Sequence, residues 1–163
     1  METQPSSILT EEEAVENNDG VELDVIKSDS RRYGPFAYVA TTGSNGEPHV
    51  APVAVNWIDD DVVAFVLASS RKVRNVRENP RATVHFAVGE ATGWDSCIVW
   101  GEASIVDDTS GRVALWDRMG YDLRAFEPGG PESDNHVFLV VKPVRAVVLR
   151  AYGMAGRQSW KRS

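Results

Sequence analysis

From Phe36 onward, apolar and polar positions alternate in short runs broken by turn residues, the period-two signature of half-buried strands. Phe36 to Thr42 leads into Gly43-Ser-Asn-Gly46, whose Asn-Gly pair is a strong hairpin signal, and His49 to Trp57 forms the return strand. Pro52 interrupts that strand and cannot donate to a ladder, which suits an edge or a bulge. Asp59-Asp-Asp61 predicts a second hairpin into Val62 to Ala68. A short helix follows, then strands Ala82 to Val88 and Asp95 to Val106. Between Thr109 and Arg124 the period changes: Val113, Leu115, Trp116, Met119 and Leu123 predict an amphipathic helix capped by Asp108 or Thr109. Glu127-Pro-Gly-Gly-Pro131 ends it. Two apolar runs, His136 to Val141 and Arg145 to Tyr152, flank Lys142-Pro143 and predict a sixth and a seventh strand. The pattern is mainly β with a few helices, an antiparallel barrel of six to seven strands.

The 163 residues suffice for one domain that buries a core without disulfides or metals. A net charge of -7 conceals an uneven distribution. Residues 1–30 hold nine acidic side chains against Lys27, and the remainder balances 16 basic against 15 acidic groups. Residues 1–30 are therefore expected to be an acidic, largely disordered leader with a short helix near 20–32, and residues 31–163 the folded domain. The leader has neither the basic start nor the apolar centre of a targeting signal, and no apolar run approaches the ~18 residues of a membrane span. A cytoplasmic protein without membrane attachment is the expectation. The single Cys97 excludes an internal disulfide, and its strand context predicts a buried, inert thiol.

Between the strands ending at Ala68 and beginning at Ala82 lie Arg71, Lys72, Arg74, Arg77 and Arg81. Ser69 and Ser70 can cap the helix start, and Asn79-Pro80 can end it. Arg71 and Lys72 then stand where free backbone N–H groups and the helix dipole already favour an anion. A phosphate is one occupant of such a cluster. A solvated basic helix face, with Val73 and Val76 packed inward, is the other reading.

The order of strand, hairpin, Pro-containing strand, Ser70-Arg71-Lys72, Asn75-Val76 and Asn79-Pro80-Arg81 resembles the flavoproteins related to pyridoxamine 5'-phosphate oxidase, over roughly residues 33 to 152. The resemblance implies an antiparallel split β-barrel and an oxidoreductase that transfers a hydride between a bound cofactor and a small organic substrate. It implies flavin mononucleotide (FMN) or the deazaflavin F420 as cofactor, held at the interface of a homodimer. Arg71 and Lys72 would hold the cofactor phosphate, with Ser70 as hydroxyl donor and Asn75 as helper. Phe65 and Val66 would line the ring or its ribityl chain, and the backbone of Val50, Ala51, Pro52, Val53, Ala54 and Val55 would run along the ring. The oxidase itself has Arg and Lys at the ends of that strand, where this chain has Val50 and Val55. Its substrate-holding Arg-Gln pair is replaced near Asp95 and Ser96. Its C-terminal segment shortens to Arg157–Arg162, within which Trp160 is the remaining cofactor contact. These departures argue against pyridoxamine phosphate as the substrate.

In such chemistry the cofactor carries the reaction and the protein binds and orients it, so no catalytic triad is required. His49, beside the ring strand, is the weak candidate for a proton donor. His85 alternates with Val84 and Phe86 and reads as a hydrogen-bonded sheet residue. His49, His85 and His136 are too scattered for a metal site. A non-catalytic barrel that binds flavin, haem or bilin is the rival function. Nucleic acid is not an expected partner, because the body is nearly neutral and the aromatics do not interleave with the basic residues. Trp94, Trp100 and the strand from Asp95 to Val106 offer apolar surface for the homodimer.

Overall fold

The alternating pattern closes on itself in a computed structural model that describes residues 17–163. The strands are β1 (Asn18–Asp19), β2 (Phe36–Thr42), β3 (Pro48–Ile58), β4 (Asp61–Leu67), β5 (Arg81–Phe86), β6 (Ser96–Val106), β7 (His136–Leu149) and β8 (Arg157–Lys161). The helices are α1 (Leu23–Ser30), α2 (Arg71–Glu78) and α3 (Thr109–Trp116). Strands β7, β4, β3, β2, β5 and β6 pair antiparallel in that order, and β6 returns to β7, so six strands form a closed barrel. The short β8 and β1 extend the sheet beyond β7.

Turn chemistry sets the register. Asn45 accepts from the Glu47 N–H, Gly46 takes a left-handed φ of 78°, and Thr42 faces Pro48 across the first hairpin. Asp59 takes a φ of 55° in the tight turn that pairs Ile58 with Asp61. Every second residue then points inward: Val53, Val55 and Trp57 on β3, Val62, Ala64 and Val66 on β4, Val137, Leu139 and Val141 on β7. Each fully buried Val or Leu contributes about 1.5–3 kcal/mol. Val73 and Val76 of α2 and Ile26 of α1 join this same core. A second cluster covers the outer face of β4 and β7, where Trp116, Met119 and Leu123 pack on Ile58, Val63 and Phe138.

Four details differ from the pattern-based expectation. The runs on either side of Lys142-Pro143 are one strand, because a bulge opposite Trp100 and Gly101 absorbs the extra residue. Gly101 is required there: a Cβ would lie 2.7 Å from Val141 Cγ1 and collide with the Lys142 carbonyl. The predicted helix over 109–124 ends at Trp116 and continues as short 3₁₀ turns around Gly120, whose φ is 79°. The C-terminal basic stretch forms β8, which no apolar alternation announced. Finally, residues 17–30, placed with the leader, carry β1 as well as the short helix expected near 20–32, which is α1, and they pack on the barrel: Ile26 is fully buried, and Trp57 Nε1 donates to Ser30 Oγ at 2.7 Å. The rest of the leader, residues 1–16, lies outside the described residues. Among the described residues, no helix is long and apolar enough to cross a membrane.

Candidate functional site

At the end of β4, Leu67-Ala-Ser-Ser70 leads directly into α2, so three consecutive candidate residues meet at one helix start. Ser70 occupies the cap position in an extended conformation, with φ of -70° and ψ of 155°, yet its hydroxyl caps nothing. Its Oγ is buried without a hydrogen-bond partner. The first intrahelical bond runs from Arg74 N–H to the Ser70 carbonyl, which leaves the N–H groups of Arg71, Lys72 and Val73 free. Lys72 is half-buried and forms no hydrogen bond or salt bridge among the described residues, and desolvation lowers its pKa. Arg71 is held from the side by Glu47, with Nη2 3.0 Å from Oε2. An orphaned hydroxyl, an uncompensated ammonium and free N–H groups, with a guanidinium whose one acidic partner is Glu47, form a donor set that fits a phosphate.

The other basic residues of the helix are engaged elsewhere. Arg74 donates to the Ser69 carbonyl at 2.9 Å and Arg77 pairs with Asp107 at 3.0 Å. Asn75 is also engaged: it is buried and donates from Nδ2 to Thr41 Oγ1 at 3.1 Å, which anchors α2 to the end of β2. Its position explains Gly43, where a Cβ would lie 2.9 Å from Asn75 Oδ1.

The β3 candidates divide by the strand's period of two. Val50, Pro52 and Ala54 face outward, whereas Val53 and Val55 point into the barrel and can meet a ligand through backbone alone. Ala51 shares their inward phase. Val66 on β4 is likewise core, and Phe65 faces out. Phe36, Pro52, Ala54, Phe65 and Phe126 surround an apolar groove of about 210 Å³ on this outer face. Phe36 and Phe126 were not apparent from the sequence, since exposed aromatics in loops and at strand ends carry no periodic signal. His49 pairs with Thr41 and lies on the opposite face of β3 from Val50 and Pro52, so it does not look onto the groove. Trp160 sits on β8, next to β7, and one chain does not bring it to Ser70–Lys72.

His85, Cys97 and Asp95 have structural surroundings. His85 Nδ1 lies 2.7 Å from the Phe86 carbonyl oxygen. Burial pushes the Cys97 thiol up, consistent with an inert group in the core. Asp95 joins Asp29, Arg32 and Arg150 in a network that ties α1 and the C-terminal segment to the barrel.

The family model for pyridoxamine 5'-phosphate oxidase matches residues 30–149. No curated protein matches the sequence. Among solved structures, a pyridoxamine 5'-phosphate oxidase-related, FMN-binding protein from Nostoc punctiforme is 18% identical with a TM-score of 0.67, over 86% of this chain and 90% of that one. An F420 reductase is 23% identical with a TM-score of 0.56, over 72% and 94%. A haem-binding protein from Mycobacterium smegmatis is 17% identical with a TM-score of 0.64, over 83% of this chain and 57% of that one. At these identities the likeness is one of fold.

Proposed function

We propose that this chain, which belongs to the pyridoxamine 5'-phosphate oxidase family, is a flavin- or deazaflavin-dependent oxidoreductase acting on a small organic substrate other than pyridoxamine phosphate. The observation that carries this reading is the buried, unpartnered Ser70 hydroxyl beside the uncompensated Lys72 at the start of α2. There Ser70, Arg71, Lys72 and the free N–H groups would hold the phosphate of FMN or F420. The groove residues Pro52, Ala54 and Phe65 would present an apolar wall to the ring, with Val50 exposed farther along the same face of β3. A bound flavin or deazaflavin supplies hydride transfer. The chain binds it, orients it along β3 and shields it from water. No side chain of the groove is a proton donor, so His49 has no assigned catalytic role.

The working unit in this reading is a cytoplasmic homodimer. Tyr38 pairs with Pro52 on one side and His85 on the other, and His85 pairs with Ile98, so one row crosses four strands on the outer face. Phe36, Tyr38 and Val50 on this face are exposed. A second copy covering them would also close the groove. A haem-binding barrel is the rival reading, and the haem-binding neighbour of the same fold favours it.

Absorption and mass of the cofactor that co-purifies from the native host decide between these readings. A flavin or deazaflavin spectrum, bleached by a reductant and restored by an acceptor, supports the oxidoreductase. A haem spectrum overturns it.

A further inference from the structure

The outer face of β6, β7 and β8 carries a second cluster that the clamp at α2 leaves unused. Direct cross-strand pairing sets Trp100 beside Arg145, and Arg145 beside Lys161. Indole, guanidinium and ammonium therefore share one row on one face. The next rows on that face hold Val147 with Ser159, then Leu149 with Arg157. Together with Trp160, these residues line a cavity of about 410 Å³ that contains no carboxylate. Its volume falls within the range of roughly 300–1,000 Å³ that small ligands occupy.

Like charges set directly opposite each other in a ladder repel. Arg145 and Lys161 are such a pair, and neither has an acidic partner among the described residues. The guanidinium of Arg145 lies 3.9 Å from the Trp100 ring centroid, which stiffens it and leaves its other face and its N–H edges open. At the far end of the cleft Arg157 is paired with Asp19 at 3.2 Å, and Ser159 Oγ donates to the same carboxylate at 2.6 Å, so the free positive charge lies at Arg145 and Lys161. Lys161 and Arg157 stand four residue steps apart on β8, about 13 Å along an extended strand, the length scale of a mononucleotide.

From this arrangement we infer that the cleft is a binding site for a nucleoside monophosphate, separate from the clamp at α2. The phosphate sits between Arg145 and Lys161, where it cancels their repulsion. The base lies on the apolar floor of Val147 and Leu149.

Calorimetric titration of the full chain with adenosine monophosphate tests the assignment, with adenosine and inorganic phosphate as separate arms. Saturable binding of the monophosphate is expected, with each fragment at least about tenfold weaker because charge and ring both contribute. The Arg145→Gln/Lys161→Gln variant should lose at least about tenfold in affinity, and Lys161→Gln alone should lose less while keeping the Arg145–Trp100 stack. The clamp variant Arg71→Ala/Lys72→Ala should bind the monophosphate as the parent does. Absence of binding to the parent, loss only in the clamp variant, or equal binding of phosphate alone overturns the inference. Failure of the clamp is read separately, from titration with FMN or F420.

Discussion

Glu47 and Arg71 form a salt bridge of 3.0 Å across the mouth of the proposed phosphate clamp, between the β2–β3 hairpin and the first residue of α2. The guanidinium lowers the pKa of Glu47 through a hydrogen bond and its charge. A phosphate and Glu47 therefore compete for one cation. Glu47→Gln should tighten FMN or F420 binding by at most about fivefold, the limit for an exposed ion pair, and the gain should shrink with added salt. Isothermal titration at two ionic strengths measures it.

Arg150 donates to Asp29 at 2.6 Å and to Asp95 at 2.9 Å, joining segments 121 and 55 residues apart. Asp29 is buried and keeps Arg32 and the Tyr33 hydroxyl once Arg150 is removed, so Arg150→Ala should destabilise the protein by about 1–3 kcal/mol, visible in urea unfolding. Desolvation raises the pKa of Asp95, but the Ala151 N–H, Arg32 and Arg150 outweigh it and the net shift is downward. Its stabilising contribution is therefore complete above the unfolded value near 3.9 and lost as pH falls through the depressed folded value. The stability difference between parent and Asp95→Asn should be constant above about pH 5 and narrow below pH 4.

His136 is fully buried between Phe65, Trp116 and Phe138, with ring centroids 5.0, 5.2 and 5.7 Å away, and neither ring nitrogen has a partner. Burial lowers its pKa, Arg112 lowers it further and Glu127 opposes them. The unfolded chain thus takes up this proton first, and stability falls as pH drops through about 6.5. His136→Leu removes the buried orphan nitrogens at similar volume and should stabilise by about 1 kcal/mol or more at neutral pH. The gain should grow toward pH 5. Thermal unfolding of both proteins across pH 5 to 8 measures the trend.

What the sequence made legible follows from how local each signal is. The Asn45-Gly46 and Asp59–Asp61 turns and the alternation of β2 to β6 are contiguous, so the barrel could be read directly, and the contiguous Ser70-Arg71-Lys72 segment does stand at a helix start as its spacing predicted. Strand β8 is polar along most of its length and exists through pairing with β7 and the hydrogen bond from Arg150 to Gln158, neither of which leaves a local mark. The continuity of β7 through Pro143 depends on a bulge and on a glycine in a different strand, Gly101. Asn75 illustrates the same limit within the site: its hydrogen bond to Thr41 joins residues 34 apart and leaves no local mark in the sequence. The isolation of His136 likewise arises from side chains contributed by three elements.

The central claim is that Ser70, Arg71 and Lys72 hold the cofactor phosphate. Charge-assisted hydrogen bonds of this kind contribute roughly 1.5–3 kcal/mol each. Titration of FMN and F420 into the parent and into Arg71→Ala/Lys72→Ala tests the claim most directly. The account predicts at least about tenfold weaker binding of the cofactor that the parent takes, with circular dichroism and melting temperature unchanged, because neither side chain belongs to the core. Undiminished affinity in the double variant would contradict it.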